Sequence, residues 1–372
     1  MMRQRDRIGG GERRFLLCLA ASLYGLALIW SATRYDAALH GAAVRQAAAL
    51  GLGAALCRVL PLLDLRRLLE RAWPLLAAGE TVLLLLLIPL GNEDGTGNRS
   101  WIALPGGVFN LQPAELVKVS FLLLLSLQLD RLDRRGRLGS LPGLLLPAGH
   151  ALALCGLLFA VSGDMGMVAV YLGIYLAAVW GAGVRPLWLV LQLAAGAGGA
   201  VLLWPRLPEY VRMRFLVVLD HELDPLGKGF QQGRSLLAIG SGQLTGQGYL
   251  QGLQTQSAAA SSLPARHTDL IFAAAGEELG LLGCLVILAL LAGIVWSCAG
   301  LARGTEDRLL RAAALGAAGM FGFQTLCNVG MCLYVAPVIG VTLPFFSYGG
   351  SSLLSSFLMM GVLEALAVRG KG

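Results

Sequence analysis

The sequence is poor in charge. Only 14% of its 372 residues are Asp, Glu, Lys or Arg, against roughly 25% in an ordinary soluble protein. Hydrophobic residues make up 56%. Intrinsic disorder is excluded, because it requires low hydrophobicity and high charge. A soluble enzyme is disfavoured, because so few charged residues would barely cover a globule. The composition predicts an all-α polytopic membrane protein.

The sequence also lacks paired cysteine motifs. No CxxC pair occurs among its seven cysteines, which speaks against a disulfide framework or a zinc site. We expect them to be small buried hydrophobic residues. The net charge of +7 could indicate nucleic-acid binding. In a membrane protein it more often marks cytoplasmic loops, so no nucleic-acid partner is expected.

Apolar runs predict about ten transmembrane helices within a single integral membrane domain covering residues 1–372. Each needs about 20 apolar residues to cross a bilayer. The predicted spans are 15–33, 44–63, 73–90, 113–129, 141–161, 165–183, 187–204, 270–298, 312–333 and 350–367. Most of the 29 Lys and Arg residues then fall on one side. This places both termini in the cytoplasm, with residues 1–14 as a cytoplasmic segment before an uncleaved first span.

One predicted outer segment, residues 205–269, is much longer than the other connections. Loops of this length are usually functional or disordered. Residues 230–240 read as a short amphipathic helix, and a glycine-punctuated run follows. We expect an interfacial or re-entrant element there, with a plain solvated loop as the alternative.

A few ionisable residues lie inside the predicted spans or directly beside their ends and are therefore candidates for function. They are Glu80, Glu115, Lys118, Asp164, Asp269, Glu277 and Glu278. All except Glu80 fall toward the outer ends of their helices, which predicts a single outward-facing cavity. Glu115 and Lys118 share one helix face and can pair. The pair could be structural, or Lys118 could present its charge to an anionic substrate.

Asp269 follows the segment Pro264-Ala-Arg-His-Thr268. Thr268 or Asp269 could be the N-cap of the next span. Alternatively, Asp269 could act as a general base beside a dry cavity, accompanied by Arg266 and His267. Ala273, Gly276 and Gly280 lie on the same side of the helix as Asp269. These small residues favour close helix packing over a groove for an acyl chain.

The segment between the last two predicted spans is rich in helix-breaking residues. Pro337, Gly340, Pro344 and the run Ser347–Ser352 predict a broken, cavity-lining segment. On the preceding span, Gln324 and Asn328 put two amides on one face. They are expected to hydrogen-bond between helices.

Several blocks of sequence resemble the SEDS family (shape, elongation, division and sporulation), the RodA and FtsW type of peptidoglycan glycosyltransferase. The resemblance covers most of the chain from about residue 97. The blocks are GNRSWI (97–102), QPAELVK (112–118), DPLGKGFQ (224–231), LPARHTDLIF (263–272), GEELG (276–280), NVGM (328–331) and LPFFSYGGSS (343–352). Details in 252–256 and 328–340 resemble the RodA-like branch more than the division branch.

The resemblance implies polymerisation of lipid II on the outer face of the bacterial cytoplasmic membrane. It implies that Asp269 is the catalytic base for inverting transfer. It also implies a substrate-binding set made of Arg99, Glu115, Lys118, Asp164, Arg266, His267, Ser347 and Ser351. Within that set, Arg99, Lys118 and Arg266 are expected to neutralise a pyrophosphate. The block around Asp164 departs from the family pattern.

By the same resemblance, we expect a divalent cation (Mg²⁺ or Mn²⁺), although no metal-ligand spacing is visible. The expected partner is a class B penicillin-binding protein, a transpeptidase. A lipid-linked precursor flippase is the main alternative function, because buried charges can also move cargo. A scaffold that has lost activity and recruits a transpeptidase is the third.

Overall fold

The computed structural model describes residues 4–34, 36, 39–92, 98–103, 110–224, 227, 229–257, 259 and 262–369. Gly97, Pro225, Leu226 and Lys228 of the family-like blocks lie outside these ranges. The described chain is mostly helical. Its helices are α1 (Gln4–Thr33), α2 (Ala42–Val59), α3 (Leu65–Leu85), α4 (Leu87–Leu90), α5 (Pro113–Arg134), α6 (Leu141–Ser162), α7 (Met165–Gly181), α8 (Pro186–Leu203), α9 (Glu209–Leu219), α10 (Phe230–Gly242), α11 (Ile271–Arg303), α12 (Arg308–Cys332) and α13 (Gly350–Arg369).

Ten of these helices coincide with the ten predicted spans, and the all-α polytopic fold is confirmed. Within the described residues, eight helical stretches are long and apolar enough to cross a membrane. The remaining two are α7, which has only 17 residues, and α5, which carries several charged residues. α5 is central to the bundle, and most side chains along it are buried.

Ion pairs gather at one end of the bundle and show that both chain ends lie there. Arg14 of α1 contacts Glu364 of α13 at 2.6 Å. Arg66, at the start of α3, lies 2.6 Å from Asp307, which precedes α12. These segments are the ones that the charge distribution assigns to the cytoplasm. The opposite end of the bundle is therefore the outer face.

The outer face carries structure that the sequence did not predict in full. A three-stranded antiparallel sheet is formed by β1 (Gly91–Asn92), β2 (Trp101–Ala103) and β3 (Asn110–Leu111), in that order. The long loop folds into α9 and α10. α10 confirms the amphipathic helix, because Gln232, Ser235, Ala238 and Gly242 are buried. The plain solvated loop is wrong for this part of the segment.

The small residues of α11 pack against α10, as expected. A Cβ on Gly242 would overlap the backbone carbonyl of Gly276, and one on Gly276 would press on Ile239. At Gly280 the helix is interrupted, with φ 65° and ψ −163°. The turn around Gly246 occupies the space beside this break. The outer part of α11 is thereby fixed to α10 and the turn that follows it.

The remaining buried polar groups of the spans are largely used in packing. Glu277 accepts hydrogen bonds from the backbone N–H groups of Gln254 and Thr255, both at 2.7 Å. Glu80 lies 3.0 Å from the His150 ring, in the interior of the bundle. All seven cysteines are free, and six are buried with Cys327 partly so, which confirms the expectation for these residues.

Candidate active site

A cavity of about 970 Å³ opens at the outer end of the bundle. Its wall includes the first residues of α13, the residues that precede α5 and α7, and the irregular segment 338–342. Four predicted site residues lie on this wall: Glu115, Asp164, His267 and Asp269. The broken segment between α12 and α13 does line the cavity, as its prolines and glycines predicted.

Asp269 lies on a loop whose backbone is held by the side chain of Asn328. The Asn328 side chain, which is fully buried on α12, donates hydrogen bonds to the carbonyl oxygens of Asp269 and Val341, both at 2.8 Å. The N-cap of α11 is Leu270, and no side chain caps it. The N-cap interpretation of Thr268 or Asp269 is therefore wrong. Asp269 instead faces the cavity from a fixed backbone.

The two predicted serines lie behind the wall. The Ser347 hydroxyl donates to the Thr268 carbonyl at 2.6 Å and accepts from the Leu343 N–H at 2.8 Å. The Ser351 hydroxyl accepts from the Gln112 N–H at 3.2 Å. Both serines thus hold backbone that forms the cavity. Their contact with substrate stays a prediction.

Asp164 caps α7 and is part of a small polar cluster. Its carboxylate accepts hydrogen bonds from the Met167 N–H at 2.9 Å, from the Gln112 side chain at 3.1 Å and from the Ser100 hydroxyl at 3.4 Å. Burial, with a contribution from the nearby Glu115, raises the pKa of Asp164 to about 6. The side chain can therefore exchange a proton near neutral pH.

Glu115 and Lys118 form the predicted ion pair. The Ser355 hydroxyl of α13 also donates to Glu115, at 2.7 Å. Only Glu115 reaches the cavity wall, whereas Lys118 is completely buried behind it. The ion pair lowers the free-energy cost of burying both charges. A direct role of Lys118 toward an anionic substrate stays a prediction.

The other predicted cations are also off the wall. Arg266 donates hydrogen bonds to the carbonyl oxygens of Ala32 and Gln254, at 3.1 and 3.0 Å, and so ties the loop to α1. Arg99 is exposed at the outer face beside wall residues Asn98 and Ser100. Their binding of pyrophosphate stays a prediction.

His267 is neutral at physiological pH. Burial, followed by the neighbouring Arg266, lowers the pKa of His267 to about 4. Its backbone carbonyl accepts a hydrogen bond from the Tyr348 N–H at 2.8 Å. A neutral imidazole on the wall can donate or accept one hydrogen bond without adding charge to the site.

Several wall residues were not predicted as site residues from the sequence. They are Trp101 and Gln112 of the outer sheet region, Arg214 of α9, Gln324 of α12 and Tyr348 of the broken segment. Trp101, Gln112 and Tyr348 fall inside the family-like blocks, which could have indicated them. Arg214 lies in the long outer loop, where basic residues do not help to assign topology and do not by themselves indicate a site.

No three or more His, Cys, Asp or Glu side chains lie close enough together to hold a metal ion, in the part of the chain that the structure describes. The wall residues alone do not fit a complete metal site. A divalent cation stays a prediction from family resemblance, and no step below depends on it.

Comparison with known proteins decides the family. The sequence matches the cell cycle protein family of FtsW, RodA and SpoVE over residues 12–371. The chain belongs to this family. A probable peptidoglycan glycosyltransferase FtsW from Geobacter metallireducens is 32% identical, covering 96% of this chain and 94% of that protein.

Solved structures agree with that assignment. The chain is similar to one in a peptidoglycan synthase complex that coordinates polymerisation and crosslinking, with a TM-score of 0.78, 33% identity and coverage of 95% and 96%. It is also similar to the rod shape determining protein RodA of Thermus thermophilus, with a TM-score of 0.67, 30% identity and 95% coverage of both chains.

These comparisons settle some of the alternatives. The family and fold confirm a multi-pass protein of the bacterial inner membrane. The flippase alternative is not favoured, because the relatives carry glycosyltransferase names. FtsW and RodA proteins match with similar identity, so the RodA-like branch is not distinguished from the division branch.

Proposed function

We propose that this chain is a peptidoglycan glycosyltransferase that polymerises lipid II into glycan strands at the outer face of the membrane. The observation that carries the proposal is Asp269 on the wall of an outer cavity, in a chain similar over its whole length to such enzymes. A cavity near 970 Å³ is large enough for a sugar-sized group.

The reaction requires a base and a stabilised leaving group. In the proposed step, Asp269 removes the proton from the 4-hydroxyl of the acceptor sugar. The hydroxyl oxygen attacks the anomeric carbon of the donor from the face opposite the diphosphate. The bond between that carbon and the phosphate oxygen breaks, the diphosphate takes the electron pair, and the configuration inverts.

Backbone positioning supports the assignment of Asp269. Hydrogen bonds from Asn328 and Ser347 fix the carbonyls of Asp269 and Thr268. A base must hold its geometry to within a fraction of an ångström to be effective. His267, two residues before Asp269, is neutral and adds no charge to this part of the wall.

Helix ends support binding of the anionic diphosphate. α5, α11 and α13 all begin at this end of the bundle, and none of the side chains at the N-caps of α5 and α11 caps its helix. Helix N-termini carry partial positive charge and favour anions. They compensate in part for the absence of Lys118 and Arg266 from the wall.

The test is polymerisation of lipid II by the purified full-length protein. We expect Asp269→Asn and Asp269→Ala to lose at least 99% of glycan synthesis while retaining the wild-type melting temperature. Asp220→Asn is the matched control, because Asp220 is an exposed carboxylate of the same outer segment away from the wall. Near wild-type synthesis by Asp269→Asn would refute the assignment.

We further propose that the partner is a class B penicillin-binding protein. The similarity to a chain from a complex that couples polymerisation to crosslinking supports this. The assay above, run with and without the transpeptidase of the same organism, checks it. Co-purification with increased glycan synthesis is expected. Co-purification without any synthesis, by the chain alone or in the complex, would instead indicate the inactive scaffold.

A further inference from the structure

Carboxylates outnumber cationic side chains among the described residues of the cavity wall. Four carboxylates line it, at Glu115, Asp164, Asp224 and Asp269. Among the wall residues that the structure describes, the only Lys or Arg is Arg214. The buried Lys118 compensates Glu115 but does not face the cavity. An anionic diphosphate that approaches this wall is repelled by the carboxylates and attracted by one guanidinium, that of Arg214.

Arg214 is held in position by the packing of α9. Val211 and Val217 are each 1% exposed and fix one side of the helix. Phe215 packs edge-on against Trp204, with ring centres 5.9 Å apart. The Arg214 guanidinium lies 5.9 Å from the Tyr210 ring, one helical turn back. These contacts hold α9 against its neighbours, and Arg214 lies on the cavity wall.

The guanidinium of Arg214 forms no ion pair with the residues that the structure describes. No carboxylate lies within 4.0 Å of it in the described part of the chain. Four arginines of the cytoplasmic face differ in this respect, because Arg14, Arg58, Arg66 and Arg308 form ion pairs there. Arg214 therefore keeps its donors for a ligand.

We infer that Arg214 binds the diphosphate group of a polyprenyl-linked substrate in the outer cavity. Guanidinium matches phosphate oxygens with paired hydrogen bonds, and lysine provides only a point charge. The inference rests on the proposed function and adds to it the cationic residue that the wall supplies. The diphosphate belongs either to the donor, where it is the leaving group, or to the acceptor.

Binding of undecaprenyl diphosphate to the full-length protein in detergent tests the inference. We expect Arg214→Ala to weaken its affinity at least tenfold and Arg214→Lys to restore part of it. The affinity for undecaprenol, which has no phosphate, should not change. Arg212→Ala is the matched control, because Arg212 lies on the same helix about 200° around from Arg214 and is not on the wall.

Kinetics with a preformed lipid-linked glycan as donor and lipid II as acceptor identify the diphosphate. Arg214→Ala should raise the KM of the substrate whose diphosphate Arg214 binds. It should also lower kcat if that diphosphate is the leaving group of the donor. Melting temperatures of all variants show whether they are folded, and Arg214→Gln replaces Arg214→Ala if the latter is not.

Two results would overturn the inference: equal loss of affinity in the Arg212 and Arg214 variants, or wild-type affinity for undecaprenyl diphosphate in folded Arg214→Ala and Arg214→Gln. Failure of the proposed function would look different, because the wild-type protein would then make no glycan. Wild-type synthesis together with an unaffected Arg214 variant refutes this inference alone.

Discussion

Replacing Asn328 by alanine should separate the positioning of the catalytic loop from substrate binding. The Asn328 side chain is fully buried and does not line the cavity. Its amide nitrogen donates to the carbonyls of Asp269 and Val341 at 2.8 Å. Asn328→Ala removes both donors, and nothing else in alanine can replace them.

The magnitude follows from the two carbonyls that lose their donor. A buried polar group left without its partner costs about 1–3 kcal/mol. Interhelical hydrogen bonds in membranes average nearer 0.6 kcal/mol. The total destabilisation should therefore lie between about 1 and 6 kcal/mol. Relaxation that moves Asp269 by as little as 1 Å can cost about a hundredfold in rate. We expect kcat to fall at least tenfold with a smaller change in KM.

The assay is glycan synthesis from lipid II at several concentrations, with the melting temperature measured on the same samples. Thr325→Ala is the control, because Thr325 lies on the same helix and its hydroxyl donates to the Phe321 carbonyl of its own helix. Asn328→Asp should be at least as damaging, since a carboxylate would face two carbonyl oxygens. Wild-type kcat and melting temperature in Asn328→Ala would refute the reasoning.

Three further predictions concern stability in detergent. Glu277→Gln should lower the melting temperature by several degrees. Both carboxylate oxygens of Glu277 accept buried hydrogen bonds, including one from the Gln254 N–H, whereas an amide has only one acceptor oxygen. An unchanged melting temperature would contradict this. Gly280→Ala should prevent stable folding, because a Cβ would overlap neighbouring backbone at φ 65°, whereas Gly300→Ala, with open space around it, should be neutral. The folded-state pKa of Asp164 is raised from 3.8 to about 6, so the folded protein binds this proton more tightly. Relative to Asp164→Asn, the wild type should therefore gain stability as pH falls from 7 to 4; parallel pH profiles would argue against it.

Local sequence patterns were sufficient for the spans and for most of the polar clusters. Apolar runs of about 20 residues identify ten helices, because a bilayer demands that length. The three-residue spacing of Glu115 and Lys118 predicted an ion pair that the structure contains. Prolines and glycines after α12 predicted the broken segment at the cavity. All of these depend on the periodicity and hydropathy of neighbouring residues.

Contacts between distant parts of the chain could not be read in the same way. Arg266 looks like a free cation in the sequence, but the fold brings the carbonyl of Ala32 to it from α1. Arg214, in contrast, has no feature in the sequence that marks it as a site residue, and the docking of α9 places it on the cavity wall. The outer sheet also escaped prediction, because strands of two or three residues have no detectable alternation.

The burial of α5 has a consequence for how the protein is made. Glu115 and Lys118 make the apolar part of α5 a poorer substrate for insertion by the translocon, because a charged residue costs up to about 3 kcal/mol, the value at the centre of a helix. The groups that compensate its charges come partly from Ser355, at the far end of the chain. The central helix of the bundle thus depends during biogenesis on segments synthesised after it, and it can be fully secured only once α13 has left the ribosome.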